Sequence, residues 1–263
     1  MERSLVDSGL SGTTVVQAHR ILHKALQDAV RWGVAWRNVA SAVSPPKKSR
    51  REMLVLNAAE LAVLLDAVGT STFGHVIAAA AYTGMRRGEL VGLQWRDIDL
   101  DRGTLSVQRS LQLVPRRGYV ASEPKTSRSR RTITLGTTLV ATFKRQRALQ
   151  AENRLAAGPV WNEGGWVFTR PDGRPVDPTI VSRKFRSVVT ELGLPPVRLH
   201  DLRHTHATLL LVQGVHPKVV QERLGHFSIS ITLDIYSHVL PGLQERAAAA
   251  FETALDTARL NRA

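Results

Sequence analysis

The feature that most limits what this chain can fold into is a change of hydrophobic period that happens once. Residues 13–32, TTVVQAHRILHKALQDAVRW, place Ile21, Leu22, Ala25, Leu26, Ala29 and Val30 on the stripe of an amphipathic helix. Arg20, Lys24, Gln27 and Asp28 fall on its outer face. Helical patterns return from Asn57 onward. Between 104 and 135 the pattern alternates instead: TLSVQRSLQL with Leu105, Val107 and Leu111, then RRTITL with Ile133 and Leu135. One short β tract in an otherwise helical chain predicts a mostly α fold with a small antiparallel β-sheet.

Punctuation divides the chain. SPPKKSRREM, residues 44–53, stops any helix with two prolines and follows them with Lys47, Lys48, Arg50 and Arg51. It reads as a basic linker, solvated or crossing a DNA backbone, between a helical piece (1–43) and a main domain (54–263). One helix and the apolar stub Val39–Val43 cannot enclose a core, so the first piece reads as the tail of a larger domain. In the main domain Asn57 with Glu60 marks a helix start, and Leu61, Leu64, Leu65 and Val68 form its stripe. HVIAAAAY, residues 75–82, is apolar on nearly every side and predicts a buried helix. After a helix from Thr137 and a Gly-rich break at 158–165, WVFTRPDGRPVD reads as a strand and a turn at Asp172-Gly173. Thr179–Leu192 is a further helix ended by Gly193 and Pro195, and 243–260 a last one anchored by Phe251, Leu255 and Leu260.

Composition narrows the partner. The 263 residues carry 36 Lys and Arg against 22 Asp and Glu, a formal charge of +14 and a pI of about 11.2. Phosphate contacts release counterions and favour such a surface, so nucleic acid is the expected partner. The sequence has no cysteine, which excludes disulfide frames and thiol chemistry. No signal peptide or membrane-length apolar run is legible, so a cytoplasmic, DNA-facing protein is expected.

Residues 199–236 carry most of the chemistry. His200 and Arg203 stand one helical step apart, Leu224-Gly225-His226 follows, and Tyr236 ends a run containing Ile229, Ile231, Leu233 and Ile235. A donor, a fixed cation, a second imidazole and a phenol suit attack on a phosphodiester better than on an acyl or glycosyl group. Upstream, the glycines around Arg86-Arg87 either hold a guanidinium at the core's edge or form a turn with solvent-facing arginines. Lys125, Arg128, Arg130 and Arg131 either form a solvated basic tip or bring one lysine to a cleft. His200 and His204 have the i, i+4 spacing of a metal pair, but no zincin-like glutamate and no cysteine accompany them, so no metal is expected. His204 and His206 read as supporting or packing residues.

TGMRRGEL (83–90), PKTSRSRRTITL (124–135), HDLRHTHATLLL (200–211), LGH (224–226) and DIYSHV (234–239) together resemble the tyrosine recombinase family, phage-integrase branch, over residues 54–241. The resemblance implies a mostly helical catalytic domain with a small sheet, preceded by a helical core-binding domain of which 1–43 would be the last part. Family members carry further helices at the amino end, and integrases often an arm-binding domain; both are expected to be missing here, as in a fragment of a longer chain or an unusually short member. The resemblance makes Tyr236 the nucleophile, giving a 3′-phosphotyrosyl link. Arg86 and Arg203 would hold the phosphate oxygens, His200 and His226 would hydrogen-bond, Lys125 would protonate the leaving oxygen, and Glu89 would orient the site. DNA contacts are expected from Lys47, Lys48, Arg50, Arg51, Arg87, Arg128 and Arg130. It further implies double-stranded DNA attachment sites of a mobile element, a homotetramer on DNA, accessory DNA-bending or directionality factors, no cofactor and no ATP. A type IB topoisomerase and a non-catalytic DNA-binding remnant are the rival readings.

Overall fold

The computed structural model describes residues 9–45, 54–114, 116–122, 130–226, 228–230, 232–233, 248–249, 251–253 and 259. The chain divides into two compact units, residues 1–52 and 53–263. Among the described residues no helix is long and apolar enough to cross a membrane.

In the first unit, helix α1 (Gly12–Arg31) starts at Ser11, whose Oγ accepts from the Thr14 N–H. A 3-10 turn (Val39–Ala42) returns to it, with the Asn38 amide donating to the His23 carbonyl at 3.0 Å. Val15, Val16 and Ala40 are buried. Ile21, Leu22 and Ala25 of the apolar stripe are exposed. The period located the helix, but one helix and a turn present too little surface to cover that face.

The second unit begins with α2 (Ala58–Val68). The Asn57 side chain accepts from the Glu60 N–H at 2.9 Å and Glu60 accepts from the Asn57 N–H at 2.8 Å, a reciprocal cap. Helix α3 (Thr72–Thr83) is the expected buried helix and ends at Gly84 in the left-handed conformation. Helix α4 (Arg87–Val91) follows directly. Strands β1 (Ile98–Asp99), β2 (Thr104–Val107) and β5 (Arg131–Thr134) form an antiparallel sheet in the order β1-β2-β5. Strands β3 (Ser110–Val114) and β4 (Gly118–Ser122) form a separate ribbon registered from Ser110 on Ser122 to Val114 on Gly118. The alternation of TLSVQRSLQL is therefore broken at Gln108-Arg109. There Arg109 turns its guanidinium onto the buried Asp97 carboxylate and the Gly92 carbonyl.

Among the described residues four further helices follow: α5 (Thr137–Ala157), α6 (Pro178–Glu191), α7 (Asp201–Val212) and α8 (Pro217–Leu224). The strand expected in WVFTRPDGRPVD is absent from these described residues. Only the isolated bridges Gln94 to Trp166 and Thr169 to Pro175 form, because Pro171 and Pro175 have no N–H for a ladder. The main core joins Leu64, Ile77, Leu105, Ile133, Phe143 and Phe185 across helices and sheet. A smaller cluster of Ala207, Leu211, Val220 and Leu224 locks α8 onto α7. The expected mostly α fold with a small antiparallel sheet is what forms. Of the expected last helix, most lies outside the described residues.

Candidate nucleic-acid strand-transfer site

The site is built on the last turn of α8. His216 and Pro217 start this helix and Gly225 ends it at φ +66°. The Gly225 N–H donates to the Glu222 carbonyl and the His226 N–H to the Gln221 carbonyl, both at 3.1 Å, closing a Schellman turn. The next three carbonyls point away from the helix, at its electronegative end. Each accepts from a different arginine: Arg223 O from Arg131 Nε (2.8 Å), Leu224 O from Arg203 Nη2 (2.6 Å) and Gly225 O from Arg86 Nη2 (3.3 Å). Guanidiniums from β5, α7 and the α3–α4 turn thus converge on three successive peptides.

Arg203 is buried and also donates from Nη1 to the Gly84 carbonyl at 2.7 Å. Gly84 has φ +63°, and a Cβ there would lie 2.4 Å from Leu224 Cδ2. Gly84 of TGMRRGEL and Gly225 of LGH both take the left-handed conformation, and at Gly84 the close approach of the two turns also leaves no room for a Cβ. Burial, with the Arg86 and Arg131 cations nearby, lowers the Arg203 pKa to about 9, which leaves it charged at neutral pH.

Glu89 bridges two of the cations. Its Oε2 accepts from the Arg86 N–H (2.9 Å) and Arg131 Nη2 (2.8 Å), and its Oε1 from Arg86 Nη1 (2.8 Å) and Arg131 Nη1 (3.3 Å). Burial pushes the carboxyl up, but the Arg131 hydrogen bond and the charges of Arg131 and Arg86 outweigh it. The net shift is downward, so Glu89 is ionised at neutral pH. Of the glycine-flanked pair, Arg86 is held at the core's edge while Arg87 faces solvent, and Arg131 is not part of a solvated tip. Its side chain is only 5% exposed. The signal was present: strand alternation puts Arg131 on the same face as Ile133 and Leu135. Arg223 was also missed; it donates to His206 Nε2 (3.0 Å), Thr134 O and Tyr82 O, tying α8 to β5 and α3.

The histidines differ in environment. His226 is buried, with Nδ1 2.9 Å from Thr232 Oγ1; burial, Arg203 and Arg86 lower its pKa to about 3, so it is neutral. His206 Nδ1 faces the Ala81 carbonyl at 2.9 Å and so donates, leaving Nε2 to accept from Arg223. Burial and Arg223 lower its pKa to about 4. His200 precedes α7 and stands at an open wall, ring edge-on to His204 at 5.6 Å. Partial burial, His204 and Arg203 lower its pKa too, favouring the neutral, proton-accepting form. The Arg198–Asp201 pair brackets it, with two guanidinium bonds of 3.0 and 2.8 Å.

A cleft of about 740 Å³ lined by Arg86, Arg87, Arg186, Arg198 and His200 opens on one side. A second, of about 590 Å³, is lined by Arg130, Arg131, Lys218, Arg223, Gly225 and His226. Of the expected site residues, Arg86, Glu89, Arg203 and His226 meet around the α8 turn, and His200 shares the first cleft with Arg86. Arg87 is exposed and donates to Ser182 Oγ at 3.0 Å; Arg130 is exposed on the second cleft. Lys47, Lys48, Arg50, Arg51, Lys125, Arg128 and Tyr236 lie outside the described residues.

Gly225→Ala tests the turn. A left-handed alanine costs about 1–2 kcal/mol, and the new Cβ would meet Arg131 Cδ at 3.0 Å and Nη1 at 3.1 Å. A Tm lower by several degrees is expected in a thermal melt, at roughly 2–4 °C per kcal/mol for a domain of this size. An unchanged Tm would mean the turn relaxes without strain.

Comparison with known proteins follows the same lines. A tyrosine recombinase XerC-like protein of Caldanaerobacter subterraneus subsp. tengcongensis is 33% identical over 254 residues, covering 90% of this chain and 65% of that protein. The ICEBs1 integrase of Bacillus subtilis is 30% identical over 248 residues, covering 94% of this chain and 67% of that protein. The chain spans about two thirds of the length of these relatives. The Tn1549 transposon integrase, solved in complex with a circular intermediate DNA, superposes with a TM-score of 0.80 at 25% identity, covering 96% of this chain and 82% of that one. Residues 55–242, which contain the α8 turn and its three arginines, match the phage integrase family, and this chain belongs to it.

Proposed function

We propose that the protein is a site-specific DNA recombinase that cuts and rejoins strands through Tyr236, acting at the attachment sites of a mobile element. The supporting observation is the anchoring of Arg86 and Arg203 on adjacent carbonyls of one helix end, beside a cleft lined by further arginines. A guanidinium has five donors, so holding backbone carbonyls leaves capacity for phosphate oxygens. Tyr236 Oη attacks the scissile phosphorus, its proton passes to His200, and the bond to the 5′-oxygen breaks as Lys125 protonates that oxygen. Arg86, Arg203 and His226 stabilise the charge that builds on the non-bridging oxygens, which is where rate is gained. Glu89 orients Arg86. The phosphotyrosyl bond keeps the diester's free energy, so a partner strand's 5′-hydroxyl reverses the step without ATP. Arg87, Arg130, Arg128 and the 44–53 linker contact the backbone, and residues 1–43 belong to a core-binding domain. The assembly is a homotetramer on two DNA sites in the nucleoid, aided by accessory DNA-bending or directionality factors. The mobile-element assignment rests on the ICEBs1 and Tn1549 integrases among the similar proteins.

The test uses a duplex selected from a random pool by binding to this protein, nicked so that the cleaved strand diffuses away. A covalent adduct that survives denaturant, with the nucleotide mapped to Tyr236 by peptide mass spectrometry, is expected. Binding without an adduct would leave only the DNA-binding remnant. Relaxation of plasmids that lack the selected site would make the protein a topoisomerase.

A further inference from the structure

We propose that Arg131 is a positioning residue of this site: it holds the Glu89 carboxylate and the α8 turn where they present Arg86 and Arg203 to the phosphate. The inference rests on the recombinase reading and assigns Arg131 a part in it that the motifs do not.

Four observations carry it. Arg131 and Glu89 are only 5% and 7% exposed in their side chains, so their charges are answered by each other and by neighbouring protein groups. Two buried charges repay their desolvation only when hydrogen bonds hold both, and here two donors of one fork reach the two carboxylate oxygens. The third donor, Nε, is fixed on the Arg223 carbonyl, one peptide from the carbonyl that holds Arg203 and two from the one that holds Arg86. Finally, the space that a side chain at residue 225 would fill is occupied by Arg131, with Cδ 3.0 Å from where a Cβ would stand. The glycine that ends α8 also lets Arg131 pass beneath the turn to Glu89.

The chemical consequence follows from competition for one carboxylate. With Arg131 present, Glu89 shares its oxygens between two guanidiniums. Without Arg131, the carboxylate can close on Arg86 with both oxygens and draw it away from an incoming phosphate. The α8 turn loses a ligand in the same change. Arg131 therefore acts on rate through Arg86 and Glu89, leaving the outer DNA contacts alone.

The experiment measures adduct formation under saturating protein, and Kd, on the nicked duplex selected with the wild-type protein. Arg131→Gln, Arg131→Lys, Glu89→Gln and the Arg131→Gln/Glu89→Gln double variant are compared. Arg131→Gln is expected to cleave about 10- to 100-fold more slowly, the range for losing a hydrogen bond between charged groups, with Kd little changed. Arg131→Lys keeps the charge but not the fork and falls between. The double variant is expected to be no slower than the slower single one, because the two residues act as a unit. A melt of each variant checks folding; should Arg131→Gln be unfolded, Arg131→Lys must still show the rate loss at wild-type Kd. Wild-type cleavage by both Arg131 variants, or losses that multiply in the double variant, would overturn the proposal. Absence of an adduct from the wild type itself would instead remove the recombinase reading, and is seen before any variant is compared.

Discussion

Arg203→Ala is expected to bind DNA, to form the covalent adduct roughly 10²- to 10³-fold more slowly, and to melt well below the wild type. Both losses have one origin. The Arg203 side chain is buried and joins the Gly84 carbonyl at 2.7 Å to the Leu224 carbonyl at 2.6 Å, so it ties the α3 end to the α8 end. Truncation leaves two buried carbonyls without that donor, at about 1–3 kcal/mol each. It also removes a cation placed where phosphate charge would build. Arg203→Lys separates the two effects. One ammonium cannot fork between two carbonyls and an oxyanion, so this variant should recover part of the Tm and little of the rate. Paired melts and adduct time courses read both quantities. A variant that cleaves at the wild-type rate would remove Arg203 from the proposed machinery, whatever its Tm.

The sequence made much of this legible and concealed the rest for physical reasons. The helices from Asn57 onward are readable because their caps and apolar stripes are local. Gly84 and Gly225 are visible as motif glycines, but the clash that would follow a Cβ at Gly84 involves Leu224, 140 positions away in the chain, and spacing carries no such information. The role of LGH was legible only at its histidine. Its leucine and glycine act through main-chain carbonyls, which every residue has and no motif marks. Arg131 was concealed by company: it follows Arg128 and Arg130, and a run of basic residues suggests solvent. Alternation with Ile133 carried the contrary signal. The split of the β tract depended on the Arg109–Asp97 ion pair, a contact between residues whose meeting no hydrophobic period encodes. The face of α1 was legible as apolar, and its exposure agrees with the reading that one helix and a stub cannot enclose a core.

Removal of Glu89 should have the second large effect, and its pH dependence identifies the cause. Glu89→Ala leaves Arg86, Arg131 and Arg203 close together without their shared anion, and breaking a buried pair of this kind costs about 3–5 kcal/mol. Glu89→Gln keeps the volume and an acceptor but loses the charge, so a smaller loss is expected. The sign of the pH effect follows from the carboxyl's pKa, which lies below its ordinary 4.5 in the folded protein. The unfolded chain then binds the proton more readily than the folded one. Stability from Glu89 is therefore fully present above about pH 4.5 and is lost as pH falls through the folded pKa. Asp201 is also lowered, so wild-type acid sensitivity alone would not single out Glu89. The difference between the wild-type and Glu89→Gln melts does. It should be constant above pH 4.5 and shrink below it, since a protonated Glu89 and a glutamine are nearly alike. A difference that stays flat into acid would mean that the carboxylate charge is not what holds the arginines, and that shape alone keeps the α8 turn in place.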